Sequence, residues 1–230
     1  MPTVMDVNAQ YSLVPPDTLP ARLAAHQRRK MYAAFLASCR PHPRDTILDV
    51  GVTSDRGYDH SNYLEAWYPH KAQITAAGVD DAQFLEDLYP GMTFMKADGT
   101  ALPFADRSFD FVHSSAVLEH VGGAARQARF LRELWRVARK ALFLTTPNRW
   151  FPVEFHTVLP VLHWLPKPIH RALLRRLGHA FFAEEDNLNL LSRGSLFRLA
   201  EAAAITDVRI TAVSLAALPT NLLLCARKGP

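Results

Sequence analysis

Four groups of acidic or small residues each follow a short apolar run, and their chemistry suits a cationic nucleoside. In chain order, the groups are Asp49-Val50-Gly51, Asp80, Asp98-Gly99 and Ser114. A carboxylate repels a pyrophosphate but attracts a cation or an amine. A glycine lets a ligand approach the main chain, because no Cβ stands in the way. We therefore expect a ligand that carries positive charge beside bare backbone.

The second and third groups add a more specific possibility. A carboxylate at the position of Asp80 can accept hydrogen bonds from both hydroxyls of a ribose. A carboxylate at the position of Asp98 can accept one from the exocyclic amine of adenine. Each residue alone is more typical of a turn or a helix cap than of a binding site, and only their repeated order favours a binding site.

The elements that must position these residues alternate along the chain. Short β-rich runs are separated by segments with helical periodicity, which predicts parallel βαβ units and a doubly wound α/β sheet. The predicted strands cover 46–50, 73–79, 92–96, 109–114 and 141–146, with the clearest helix at 124–140. Two more strands, 208–215 and 222–227, are predicted to pair antiparallel around a turn at Pro219-Thr220-Asn221. The carboxyl ends of parallel strands share one sheet edge, so the four groups should meet there.

Further motifs resemble one family. Besides the four groups, they include Leu102-Pro103-Phe104 with Ser108-Phe109-Asp110, the run Leu118-Glu119-His120-Val121, and Glu133-Leu134-x-Arg136-Val137. Over about residues 45–147 the chain resembles the class I S-adenosylmethionine-dependent methyltransferases, in the widespread small-molecule subgroup. This resemblance implies a Rossmann-like fold, a mostly parallel sheet closed by a C-terminal antiparallel hairpin, and S-adenosylmethionine as the cofactor.

The resemblance also implies a role for each matched residue. Asp49 and Gly51 would face the methionine part of the cofactor, and Asp80 would hold the ribose hydroxyls. Asp98 and Gly99 would flank the adenine, and Ser114 would line the pocket below the sulfonium. Leu102-Pro103-Phe104 would support the adenine loop structurally.

The loop after the first strand departs from the family pattern. The family has a glycine-rich GxGxG loop, whereas this chain reads GVTSDRG over residues 51–57. Thr53, Ser54 or Asn62 could bind the cofactor through side chains instead. The same departure would fit a non-catalytic relative that keeps the fold.

Glu154 and His156 are the candidate general bases for the acceptor. They follow the fifth predicted strand, and a histidine of near-neutral pKa can take a proton from a hydroxyl or amine. His156 could equally be a packing residue beside Phe155, and alignment of the reactants can suffice for methyl transfer. For His113 and His120 we expect core or supporting positions.

The chain divides into a leader and helix at 1–44 and a methyltransferase domain at 45–230, with 148–192 inserted as a helical cap. Residues 158–182 are apolar, aromatic and basic together. This composition favours a helical cap packed on the sheet. The alternatives are a lid over a lipid or glycolipid acceptor and an interfacial helix that contacts a membrane.

Composition excludes several other classes. The formal net charge of +4 is spread along the chain, so nucleic acid is not the expected partner. Cys39 and Cys225 form no CxxC motif, and no metal site is predicted. No signal peptide or spanning segment is evident, which predicts a cytoplasmic protein.

A nucleotide-dependent oxidoreductase is the remaining enzymatic alternative, disfavoured by the missing GxGxxG. The acceptor is predicted only as a small molecule, a lipid or a saccharide.

Overall fold

The computed structural model describes residues 18–56 and 61–229. The leader predicted at the start of the 1–44 segment lies outside these residues, as do residues 57–60 of the first loop. The division of the chain at residue 45 stays a prediction.

A seven-stranded mixed sheet forms the centre of the protein. Its strand order is β3-β2-β1-β4-β5-β7-β6. The first five strands pair in parallel, and β7 pairs antiparallel with both β5 and β6. The strands are β1 Ile47–Val50, β2 Ile74–Gly78, β3 Thr93–Lys96, β4 Phe109–Ser115, β5 Ala138–Pro147, β6 Val208–Leu215 and β7 Leu218–Arg227. The predicted Rossmann-like α/β fold is confirmed.

Helices cover both faces of this sheet, so its central strands are apolar on both sides. The helices are α1 Leu19–Cys39, α2 Tyr63–Trp67, α3 Phe84–Leu88, α4 Ala124–Val137, α5 Lys167–Arg176, α6 Ala180–Ala183 and α7 Arg193–Ala202. One face carries a core with residues of α4 and α7, including Phe130 and Leu196. The opposite face carries a core with residues of α1, α2 and α3, including Phe35 and Leu64.

Two predicted element boundaries were wrong. The terminal turn is at Ala216 and Ala217, not at Pro219-Thr220-Asn221, which belongs to β7. Both alanines have positive φ, 45° and 69°, and this backbone matches the twist of the flanking strands in a two-residue hairpin. Helix α4 ends at Val137, and Ala138 already pairs with Phe109 in the sheet, so β5 begins three residues earlier than predicted.

The segment 148–192, which is predicted from the sequence to be a cap, contains most of the remaining short helices. It contains α5, α6 and a 3₁₀ turn at Leu162–Trp164. Leu174, Phe182, Ala183 and Leu188 form a small core of its own. Across the described parts of the chain, 18–56 and 61–229, no helix has the length and apolar character needed to span a bilayer.

Candidate functional site

A cleft of about 310 Å³ crosses the carboxyl ends of β1, β2, β3 and β4. This is the edge at which open α/β sheets bind ligands. The cleft is lined by the last residues of the strands and those just after them: Val50 to Thr53, Ala77 to Val79, Ala97 to Thr100, and Ser115 to Val117. The predicted meeting of the strand ends at one cleft is therefore present. Arg28 of α1 and Arg126 of α4 add two guanidinium groups to the lining, neither of which the sequence indicated.

Bare backbone forms part of the cleft wall at Gly51 and Gly99. Gly51 has a φ of 103°, and a Cβ there would lie 2.1 Å from Cγ2 of Val117. A Cβ on Gly99 would lie 2.3 Å from Cε2 of Phe130. Both positions therefore require glycine, as the motif predicts for a close approach to the main chain.

The first loop is held by Asn62 in place of additional glycines. Asn62 accepts a hydrogen bond from the Thr53 main-chain N–H at 2.9 Å and donates one to the Thr53 carbonyl at 3.0 Å. Both polar atoms of its amide are thus used within the protein. Asn62 is buried and does not line the cleft, which corrects the suggestion that its side chain contacts the cofactor. Thr53 does line the cleft.

The two carboxylates expected at the nucleoside end lie at the predicted edge. Asp98 lines the cleft, and its Oδ1 accepts hydrogen bonds from the Thr100 main-chain N–H and hydroxyl, both at 2.8 Å. Asp80 is not among the residues that line the cleft, but it directly follows Val79, which is. Their assigned contacts with adenine and ribose remain predictions.

Two other predicted site residues do not line the cleft. The Asp49 carboxylate accepts a hydrogen bond from Nδ1 of His113 at 2.7 Å within the buried interior. The Ser114 hydroxyl donates to the Val50 carbonyl at 2.7 Å and is fully buried. Successive side chains of a strand point to opposite faces, so the neighbouring Ser115 reaches the cleft instead. Asp49 and Ser114 are therefore supporting residues, and the direct contacts expected of them are corrected.

A buried polar cluster surrounds Asp49, and sequence reasoning missed it. Nε2 of His113 lies 2.9 Å from the Tyr63 hydroxyl, and Glu65 of α2 is fully buried close by. Burial, followed by the negative charge of Asp49, raises the pKa of Glu65 well above its usual value. The uncharged form of Glu65 is therefore favoured, because ionisation would place a second buried negative charge beside Asp49.

Glu154 and His156 are brought together with His120 at the other end of the cleft. Nδ1 of His156 lies 2.6 Å from Oε1 of Glu154, and its Nε2 lies 3.0 Å from Nε2 of His120. Nδ1 of His120 lies 2.7 Å from the Asn187 carbonyl oxygen. Both histidines line the cleft, whereas Glu154 is buried beneath them.

These distances determine which nitrogen atoms of His120 and His156 carry protons. A carbonyl oxygen can only accept, so His120 carries its proton on Nδ1 and its Nε2 is an acceptor. Nε2 of His156 must then donate. Glu154 accepts from the main-chain N–H groups of His156 and Thr157, as an ionised carboxylate does. Nδ1 of His156 therefore donates as well, and His156 is an imidazolium.

The electrostatic environment agrees with this assignment. Burial, followed by the charge of His156, lowers the pKa of His120 to about 3. Burial opposes ionisation of Glu154, but the charge of His156 and the hydrogen bonds outweigh it and lower that pKa to about 2. Burial alone would lower the pKa of His156, yet Glu154 raises it. In this state neither Glu154 nor His156 has a lone pair available as a base, so the proposed base role has no support in their geometry.

Comparison with known proteins places the central part of the chain in a family. Residues 55–144 match the model described as "Methyltransferase domain". The match of this segment supports a class I S-adenosylmethionine-dependent methyltransferase domain in this part of the chain. It is 33% identical over 103 residues to an uncharacterized methyltransferase of Mycolicibacterium gilvum, covering 45% of this chain and 36% of that protein. It is 31% identical over 141 residues to a demethylmenaquinone methyltransferase of Roseiflexus sp., covering 58% and 56%.

Solved structures agree at the level of the fold. The magnesium protoporphyrin IX methyltransferase of Synechocystis PCC 6803, solved with bound SAH, superposes with a TM-score of 0.58 at 13% identity, covering 96% of this chain and 92% of that one. The chain spans only about a third to a half of the length of the two curated relatives. Together these similarities support S-adenosylmethionine as the cofactor of the methyltransferase domain and methyl transfer as its enzyme class.

The LPF segment of the methyltransferase domain is clamped by α4. The Arg136 guanidinium donates to the carbonyls of Leu102 and Phe104 at 3.0 and 2.8 Å, and to Glu133. Glu133 in turn accepts from the Leu102 main-chain N–H at 3.0 Å. These contacts agree with the structural role expected for Leu102-Pro103-Phe104, and they explain the Glu133-Leu134-x-Arg136 spacing.

Proposed function

We propose that the protein transfers the methyl group of S-adenosylmethionine to an oxygen or nitrogen atom of an acceptor that is a small molecule, a lipid or a saccharide. The observation that carries the proposal is the cleft across four parallel strand ends, with bare backbone at Gly51 and Gly99 and a carboxylate at Asp98. When bound, the cofactor supplies an electrophilic methyl group on a sulfonium. The similarity of residues 55–144 to the methyltransferase family supports this assignment.

The residues present fit such a cofactor. A Cβ at Gly51 or Gly99 would collide with Val117 or Phe130, both of which line the cleft, so a side chain at either position would change the cleft wall. Asp98 and Asp80 accept hydrogen bonds from the adenine amine and the ribose hydroxyls. Arg28 and Arg126 offer a cationic partner for a ligand carboxylate. Asp49 stabilises the interior beneath the cleft through its hydrogen bond with His113.

The end of the cleft beside His120 and His156 receives the acceptor. The cleft positions the acceptor atom against the methyl group, and the cap excludes water. This positioning supplies most of the rate enhancement, because alignment alone lowers the barrier of such displacements. The Roseiflexus relative is named for demethylmenaquinone, which supports a small acceptor with an apolar body. A cytoplasmic location is kept as a prediction.

Calorimetric titration with S-adenosylmethionine tests the cofactor assignment. We expect Asp80→Ala and Asp98→Ala each to weaken binding by about 10- to 100-fold, the loss typical of hydrogen bonds to a charged group. Asp81→Ala, at the exposed neighbouring carboxylate, is the matched control and should bind as the native chain does. Absence of binding to the native chain would overturn the proposal.

Transfer itself is tested with cofactor labelled in the methyl group and fractions of small molecules, lipids and saccharides. Label that moves to one class of fraction identifies the acceptor class. Tight cofactor binding with no transfer to any fraction would favour the non-catalytic relative over the enzyme.

Contact of residues 158–182 with an anionic membrane surface is part of the same proposal. Val161, Trp164, Ile169 and Leu177 expose 41–52% of their surface beside the basic residues of α5. This combination supports interfacial binding. Co-sedimentation with vesicles containing phosphatidylglycerol should fall several-fold for Trp164→Ser with Ile169→Ser. Phe197→Ser, on α7 outside the cap and 47% exposed, should have no effect. Equal binding to neutral vesicles, or no binding, would contradict membrane contact.

A further inference from the structure

Three side chains at the acceptor end of the cleft converge on one point. Glu119, His120 and His156 each offer one ligand atom, and these three atoms lie within 4.8 Å of one another. Sequence spacing predicted no metal site, because His156 lies 36 residues beyond His120. The end of β4 and the start of the cap bring the two histidines together.

Each of the three residues is oriented by a partner at its other polar atom. The Thr146 hydroxyl donates to Oε2 of Glu119 at 2.8 Å. Nδ1 of His120 donates to the Asn187 carbonyl, and Nδ1 of His156 donates to the Glu154 carboxylate. Metal-binding histidines and carboxylates are oriented in this way, with the outer atom hydrogen-bonded and the inner atom facing the ion.

The inner atom of Glu119 has no hydrogen-bond partner within residues 18–56 and 61–229. Glu119 is fully buried, and its Oε1 lies 3.9 Å from Nε2 of His120. A buried carboxylate oxygen without a partner is costly, about 1–3 kcal/mol or more. Its position beside two imidazole nitrogens points to a missing cationic ligand.

We propose that Glu119 Oε1, His120 Nε2 and His156 Nε2 bind a divalent transition-metal ion of the zinc class. Two imidazoles and one carboxylate are the donor set of catalytic zinc sites, which leave one position open. Because His120 and His156 line the cleft, the open position faces the acceptor space. The site lies apart from Gly99 and Asp98, which serve the nucleoside.

A proton alone satisfies this arrangement only in part. One proton between the two Nε2 atoms explains their separation of 3.0 Å. It leaves Oε1 of Glu119 without a donor at 3.9 Å from the nearer nitrogen. A single ion between the three atoms contacts all of them, with small shifts toward metal–ligand distances of about 2 Å.

The consequence for the reaction depends on the proposed function. An ion with one open position binds an oxygen or nitrogen atom of the acceptor and holds it in the cleft. It thereby also supplies the acceptor end with positive charge that favours loss of a proton from a hydroxyl.

Cobalt(II) is the probe for the site, since its visible absorption reports nitrogen and carboxylate ligands directly. The full chain, treated with a chelator and dialysed at mildly alkaline pH so that the histidines lose their protons, is titrated with Co²⁺ and then with Zn²⁺. We expect one saturable set of visible bands at one equivalent, which Zn²⁺ abolishes. Glu119→Gln, His120→Asn and His156→Asn should each weaken Co²⁺ binding at least about tenfold. His26→Asn, at an exposed histidine of α1, should leave it unchanged.

Circular dichroism of each variant establishes that it is folded, and His156→Gln replaces His156→Asn if the latter is not. Absence of Co²⁺ bands in the native chain would overturn the metal site, as would bands of equal strength in all three folded variants. Calorimetry with S-adenosylmethionine is run on the same samples. Native cofactor binding without Co²⁺ bands would contradict the metal site alone, whereas metal binding without cofactor binding would contradict only the proposed function.

Discussion

At Gly51, the absence of a Cβ atom allows both the backbone conformation and the shape of the cleft. Its φ of 103° is unfavourable for residues with a side chain, and a Cβ there would overlap Val117. Any other residue at this position would therefore have a strained backbone, and its side chain would overlap Val117.

We expect Gly51→Ala to lower the free energy of unfolding by about 2–4 kcal/mol, since overpacking and an unfavourable φ act together. It should also abolish measurable cofactor binding. Urea denaturation and calorimetry are the measurements. Gly194→Ala is the control, because the nearest heavy atom to its Cβ is 3.6 Å away. Native stability of Gly51→Ala would contradict the steric argument.

Glu65 carries a pKa that is raised in the folded state by burial and by Asp49. The folded protein therefore keeps a proton that the unfolded chain loses, and stability falls as the pH rises above the unfolded pKa of about 4.3. Glu65→Gln removes this proton dependence while keeping the shape of the side chain.

We expect Glu65→Gln to raise the melting temperature at about pH 8 and to change it little at about pH 4. The gain corresponds to about 1–3 kcal/mol, the cost of a buried group without adequate partners. Glu201→Gln, at an exposed carboxylate of α7, should have no effect at either pH. A loss of stability at the higher pH would show that Glu65 is ionised in the folded state.

At the scale of elements, α4 does more than cover the sheet. Through Glu133 and Arg136 it holds the segment from Leu102 to Asp106, which follows the cleft wall at Gly99. The cleft wall at the nucleoside end thus depends on α4, although only Arg126 and Phe130 of that helix line the cleft.

Arg136→Lys should lose about 1–3 kcal/mol of stability, because an ammonium cannot reach the several acceptors that the planar guanidinium contacts. Amide hydrogen exchange should increase over residues 101–107. Arg132→Lys on the same helix is the control, since Arg132 makes one exposed hydrogen bond, to the Ala202 carbonyl. Unchanged exchange in Arg136→Lys would contradict the clamp.

At the scale of the whole molecule, the cap is joined to the sheet through Asn189. Its main-chain N–H donates to the Glu119 carbonyl at 2.7 Å, and its side-chain amide donates to the Gly122 carbonyl at 2.9 Å. Lys167 of α5 donates to its side-chain oxygen at 2.6 Å. One side chain therefore ties the cap both to the segment after β4 and to α5.

Asn189→Ala should loosen the cap while the sheet stays folded. We expect faster hydrogen exchange over residues 159–188 and unchanged exchange in β4 and β5. The two lost hydrogen bonds, worth about 1–3 kcal/mol together, join Asn189 to Gly122 at the base of the cap and to Lys167 within the cap. Asn187→Ala removes only a side-chain bond within the cap, to the Phe181 carbonyl, and serves as the control. Equal exchange changes in both variants would contradict the special role of Asn189.

The fold and half of the site were predictable from local pattern. Alternating β-rich and helical runs specify parallel βαβ units, and parallel strands end at one edge. That is why Gly51, Asp98 and Gly99 could be assigned to a single cleft. The glycines themselves are visible in the sequence, although the clashes with Val117 and Phe130 that require glycine there are tertiary contacts.

Tertiary structure alone decided which side chains enter the cleft and which meet across it. A strand's alternation specifies two sets of residues but not which set faces the ligand, so Ser115 lines the cleft where Ser114 was expected. The hairpin turn lies at Ala216 and Ala217, and not at the predicted residues, because the register in which β7 pairs with β5 and β6 determines where β7 begins. His120 and His156 are far apart in the chain, and only the docking of the cap on the sheet brings their imidazoles together. Local spacing cannot encode such a contact, because it depends on how distant segments pack.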